Sequence, residues 1–152
     1  MANMTDQTRA NAIIQALFTS STTFTITPGT SGGSAFTMTP PLKIRLMTAQ
    51  GTNTSNGTES TSGNCPGYTA GGVSLGSSGF AAPSGGQQTN NNSASWSATG
   101  SWSTVTAIEI WDSAGTPLRW LQGALTSNIT GVANGDTVQF AVGSITINAS
   151  AW

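Results

Sequence analysis

"GSWSTVTAIEIWDSAGTPLRWLQGALT", Gly100–Thr126, is the stretch that decides the fold. Its first half alternates. Ile108 and Ile110 share one face, while Val105, Ala107 and Trp111 share the other with Glu109 among them, as strand periodicity requires. Asp112–Pro117, "DSAGTP", has hairpin-turn chemistry. "LRWLQGALT" returns with Leu118, Trp120 and Leu121 available for burial. Both faces are partly apolar, so the hairpin is expected to sit centrally and be covered on both sides.

The same period extends outward. "PPLKIRLMTA" opens on two prolines that exclude helix. It then sends Leu42, Ile44 and Leu46 one way and Lys43, Arg45 and Met47 the other. "STTFTITP" alternates Phe24 and Ile26 with threonines. Val73, Leu75 and Phe80 suggest a short strand, as do the residues around Trp96. After the Asn134-Gly135-Asp136 turn, Val138, Phe140 and Val142 alternate, and Ile145 and Ile147 follow. The exception is "MTDQTRANAIIQALF" near the N-terminus. There Ala10, Ile13, Ile14, Leu17 and Phe18 fall at i, i+3, i+4, i+7 and i+8, the apolar stripe of a helix that Thr5 or Asp6 can cap. The sum is one helix and about seven to nine short strands. The expected fold is all-β: a jelly-roll-like antiparallel β-sandwich or barrel with one short N-terminal helix. Residues 1–152 are expected to form a single β domain, with a helical arm at 1–20 and long loops at 50–72 and 84–95.

Composition narrows the chemistry. Charged residues make up 6% of the chain, against about 25% in a typical protein. The net charge of −1 offers no attraction to nucleic acid or an anionic membrane. No stretch approaches the roughly 18 consecutive apolar residues of a membrane span, and the N-terminus does not read as a signal peptide. A nearly neutral chain has little charge repulsion to keep copies apart, which suits a subunit of an assembly. Cys65 is alone and there is no histidine. Metal, cofactor and Cys-His nucleophile chemistry are therefore not expected.

The acidic residues are Asp6, Glu59, Glu109, Asp112 and Asp136. A glycosidase needs two carboxylates flanking one bond. Glu109 and Asp112 are the only close pair, and three positions apart on a strand they project to opposite faces. No catalytic residue is expected. Glu109 sits in a strand interior, where a lone carboxylate is costly, so an ion pair with Arg119, Arg45 or Lys43 is expected. Asp112 reads as a turn residue bonding local backbone. The five tryptophans read as core or interface anchors rather than a sugar platform.

"LKIRLMTAQGTNTSNGTES" and the run from "ASWSATGSW" to "FAVGSITI" together resemble a family of small tailed-phage virion proteins. The matching elements are the "TRANAIIQALF" helix, Trp102 to Gly115, "GALT" at Gly123–Thr126, "GDTVQF" at Gly135–Phe140, and Val142 to Ile147. Where the family reads "EVSGGSYAR", this chain has "ESTSGNCPGYTAGG", which keeps Glu59 and Tyr68 but lacks the arginine. The resemblance implies a structural, non-enzymatic component of the phage particle. A capsid decoration (cement) protein is the first expectation: a homotrimer on the head surface bound to the major capsid protein. A tail-fibre or tail-tip receptor-binding protein is the alternative. Contact candidates are Ile13, Ile14, Leu17 and Phe18 of the helix and Tyr68 of the 50–72 loop, segments least able to order themselves alone.

Overall fold

A computed structural model describes residues 7–18, 23–26, 35–76 and 78–148. The expected caps Thr5 and Asp6, and Trp152, lie outside them. The chain is all-β with one short helix. The helix α1 (Gln7–Phe18) is followed by β1 (Phe24–Ile26), β2 (Phe36–Met38), β3 (Lys43–Ala49), β4 (Thr58–Glu59) and β5 (Val73–Ser74). Then come β6 (Gln87–Thr89), β7 (Ala94–Ser97), β8 (Val105–Trp111), β9 (Arg119–Ile129), β10 (Thr137–Phe140) and β11 (Thr146–Asn148).

The main sheet has the order β4-β3-β8-β9, with β5 also paired to β3. Every pairing is antiparallel, and smaller ladders join β1 to β2, β7 to β10 and β6 to β11. Three ladders nest: β8·β9 lies in sequence within β7·β10, and that within β6·β11. The architecture is that of an all-β sandwich.

Register separates the two faces of the main sheet. Ile44 stands opposite Ile110, Leu46 opposite Ile108, and Ile110 opposite Leu121. Residues two apart share a face, so these side chains line one side together. They pack into one apolar cluster with Trp96, Trp102, Tyr68, Leu75, Phe80, Val138 and Ile147. Met47, Ala107 and Trp111 are also buried but lie outside that cluster, on the opposite face with Arg45 and Glu109.

Three expectations need correction. The quoted hairpin is not central as a whole. β8 is flanked by β3 and β9 and buried on both faces, but among the described residues β9 is the last strand of its sheet and half-exposed; Leu118, just before it, is 41% exposed. Residues 84–95, expected as a loop, carry β6 and the first residues of β7. There Ser84 bridges Gln87 and Phe80 bridges Asn90. The backbone pairs although the sequence lacks apolar alternation, because neighbouring strands supply the ladder. Residues 50–72, also expected as a loop, carry β4. The helix docks on its own domain. Ile14 and Phe18 are buried, Phe18 packs 5.9 Å from the Phe80 ring, and Asn11 Oδ1 accepts a bond from Gly86 N at 2.9 Å.

Candidate functional site

The polar face of the main sheet gathers Arg45, Glu59, Glu109 and Arg119. Glu109 stands in mid-β8, directly opposite Arg45 on β3 and Gln122 on β9. Its carboxylate is fully buried. Oε1 accepts from Gly57 N at 2.8 Å and from Arg119 Nη1 at 2.9 Å; Oε2 accepts from Trp111 Nε1 at 2.9 Å. Three donors, one of them cationic, replace the water that burial removed.

Arg119 spends its remaining donors on the loop above. It reaches the Ser55 carbonyl at 2.8 Å, the Thr52 carbonyl and Gln122 Oε1. Gln122 Nε2 in turn donates to Asn53 Oδ1 at 3.3 Å. The tip folds on itself as well, with Thr52 Oγ1 accepting from the backbone of Thr54 and Ser55. Gly57 has to be glycine here: a Cβ would stand 2.5 Å from the Ala49 carbonyl and 3.1 Å from Glu109 Oε1.

Arg45 does not pair with the Glu109 it faces. Its guanidinium lies 4.1 Å from the Trp111 ring centroid and pairs with Glu59 at 3.1 Å. Glu59 Oε1 also accepts from Tyr68 Oη at 2.8 Å and Gly71 N at 2.7 Å. Tyr68 fills a gap in the ladder. β4 pairs with the end of β3 and β5 with its beginning, which leaves Leu46 between them; Leu46 N donates to Tyr68 Oη at 3.3 Å, and Ser60 N bonds the Leu46 carbonyl at 2.8 Å. Burial first, then the Glu59 hydrogen bond, pushes the Tyr68 hydroxyl well above the ordinary tyrosine range.

The two carboxylates of the expected close pair share no partner. Asp112 is fully buried and accepts from Leu118 N at 2.8 Å and Trp120 Nε1 at 3.2 Å, closing the turn between β8 and β9. Glu59, Glu109 and Asp112 are thus each surrounded by donors from their own chain, an arrangement that fixes shape. Among the described residues no three His, Cys, Asp or Glu side chains come together to hold a metal ion. Cys65 is buried, with Sγ 3.9 Å from the Ser103 carbonyl.

The contact candidates fall differently. Ile14, Phe18 and Tyr68 are buried within the chain, where its own core and β3 use them, and so are not presented to a neighbour. Leu17 is half-buried against the same core. The side chain of Ile13 lies outside what is described. The 50–72 loop is anchored by Glu109, Arg119 and Glu59, so it does not depend on a partner for its order. Asn90 escaped the sequence reading. Fully buried, it donates to the Asn92 and Ala141 carbonyls at 2.9 and 2.8 Å and accepts from Ile145 N at 2.8 Å. Nothing in "TNNNS" marks it, since all three asparagines look like loop.

Fold and site together define an all-β protein whose charged side chains tie its main sheet to the segment 50–72. Residues 3–148 match the model of a family described as podophage GP4 fiber I protein gp80, and the chain belongs to that family. The resemblance to tailed-phage virion proteins therefore holds, and the chain is a structural component of the phage particle. No curated protein matches it.

Proposed function

We propose that the chain is a non-enzymatic building block of the phage fibre that works through its surface. The family description supports the fibre over the head. The observation that carries the reading is the internal use of the charged face: Glu109, Arg119, Glu59 and Arg45 hold β3, β8, β9 and the 50–58 loop as one body. The surface left over carries few charges, exposed Asp136 among them, and is rich in Ser, Thr and Asn. Such a surface recognises through many modest hydrogen bonds that depend little on salt. The nested ladders support a jelly-roll-like description of the sandwich.

Capsid decoration is the second reading. It is favoured by the absence of fibrous repeats or coiled-coil heptads in the sequence. Counting copies per particle by quantitative mass spectrometry, with gold-labelled antibody locating them, separates the two. A handful of copies at the tail supports the fibre. Hundreds over the head overturn it in favour of decoration, with the major capsid protein as partner. Turnover of a capsule or cell-wall glycan by the purified chain would refute the non-enzymatic reading itself.

A further inference from the structure

The Glu109–Arg119 ion pair grips the backbone on both sides of one exposed residue, Asn56. Arg119 Nη1 donates to the Ser55 carbonyl at 2.8 Å and to Glu109 Oε1 at 2.9 Å, and the same Oε1 accepts from Gly57 N at 2.8 Å. Glu109 is wholly shielded from solvent and Arg119 largely so, while Asn56 is open to it. One position beyond Gly57, Thr58 is already paired with Ala49 on β3.

The Asn56-Gly57 pair carries chemistry of its own. In an open chain the Gly57 nitrogen is unhindered, because glycine has no side chain, and it attacks the side-chain carbonyl carbon of Asn56. A nitrogen–carbon bond forms and the bond from that carbon to its amide nitrogen breaks. The proton lost by the attacking nitrogen passes through solvent base to the departing amide, which leaves as ammonia. Water then opens the resulting cyclic imide at either carbonyl, leaving aspartate or isoaspartate at position 56. The chain and water supply every atom.

We propose that Asn56 is a latent self-modification site that the Glu109–Arg119 pair keeps shut. Two features oppose the attack. The proton that must leave Gly57 N is held by a buried carboxylate, and a negative charge 2.8 Å away opposes a second one on that nitrogen. Ring closure also requires the backbone of Asn56 to turn, and its neighbours Ser55 and Gly57 are both fastened. The guard matters because the change is not reversed. Isoaspartate adds a methylene to the main chain, which displaces Gly57 N from Glu109 and Thr58 from Ala49, so the loop cannot close again in its old register. The site stands whether the chain belongs to a fibre or to a head. The other Asn-Gly pair of the sequence, Asn134-Gly135, supplies an internal control: Asn134 is also exposed, but Gly135 N is held by the Ala98 carbonyl at 2.9 Å rather than by Glu109.

The test is to age the purified chain in mildly alkaline buffer beside Glu109→Ala and to follow conversion of each asparagine to the acid by peptide mass spectrometry. Asn56 should convert at least about tenfold faster in the variant, the scale of losing a hydrogen bond to a charged group, with Asn134 unchanged. If Glu109→Ala unfolds, both sites will speed up together and the unaltered chain decides. There Gly57 N–H should exchange with deuterium, and Asn56 convert, at least about tenfold more slowly in buffer than in urea. A folded variant whose Asn56 converts no faster overturns the proposal, as does an unaltered chain whose Asn56 converts in buffer at its urea rate.

Discussion

Glu109 is a fully buried carboxylate whose three donors come from β8, β9 and a loop. Removing the carboxylate strands Arg119 and the Trp111 and Gly57 N–H groups at once. Glu109→Ala should therefore lower unfolding free energy by about 3–5 kcal/mol, the usual result of breaking one half of a buried pair, read from urea denaturation. An unchanged midpoint would mean that the network is ornamental. Tyr68 makes a prediction in pH. Its hydroxyl is held above its ordinary range in the folded chain, so the folded state keeps a proton that the unfolded chain loses above about pH 10. Its contribution to stability is whole below that value and fades as pH rises beyond it. Urea midpoints taken from pH 8 to 11 should fall steeply above 10, and less steeply in Tyr68→Phe. Equal slopes would argue against the buried hydroxyl. The partner of Glu109 was anticipated from a simple rule, that strand interiors reject an unpaired charge. Arg119 was one of three candidates, and only the register chose it.

At the scale of elements, β3, β8 and β9 were legible because each alternates over several residues around a marked turn. β5 was signalled by Val73, but β4 and β6 were not legible. These two are two and three residues long and lie in Ser/Thr/Gly/Gln-rich sequence with no apolar period to read. Their pairing is imposed by the strands beside them. Asn90 is the extreme case, a loop-like residue that fastens the turn after β10 to the chain near β6. Asn90→Ala leaves the Ile145 N–H and two carbonyls without that partner and should cost at least about 2 kcal/mol. Asn91→Ala, next in sequence and exposed, should stay within about 0.5 kcal/mol. Similar losses from both would remove the distinction. The helix was read correctly as amphipathic, with its cover left open between its own domain and a neighbour. Periodicity shows that a face must be covered but not by what, and Phe80 of the same chain is part of the cover.

For the whole molecule, stability rests on apolar packing and hydrogen bonds rather than on charge. Two ion pairs are present among the described residues, both largely shielded from solvent. Salt screens exposed charges and barely reaches buried ones. Melting temperature should accordingly move little between low and high sodium chloride, and a fall of many degrees would reveal an electrostatic contribution that the structure does not contain. Composition, hydrophobic period and turn chemistry are local properties, and they were enough to determine an all-β fold with one amphipathic helix and a chain poor in reactive groups. Which arginine meets which glutamate is set by register between strands, and which loop is anchored depends on residues 50 or more positions apart coming together. Local sequence does not encode those distances; only the closed arrangement of the sheets decides them.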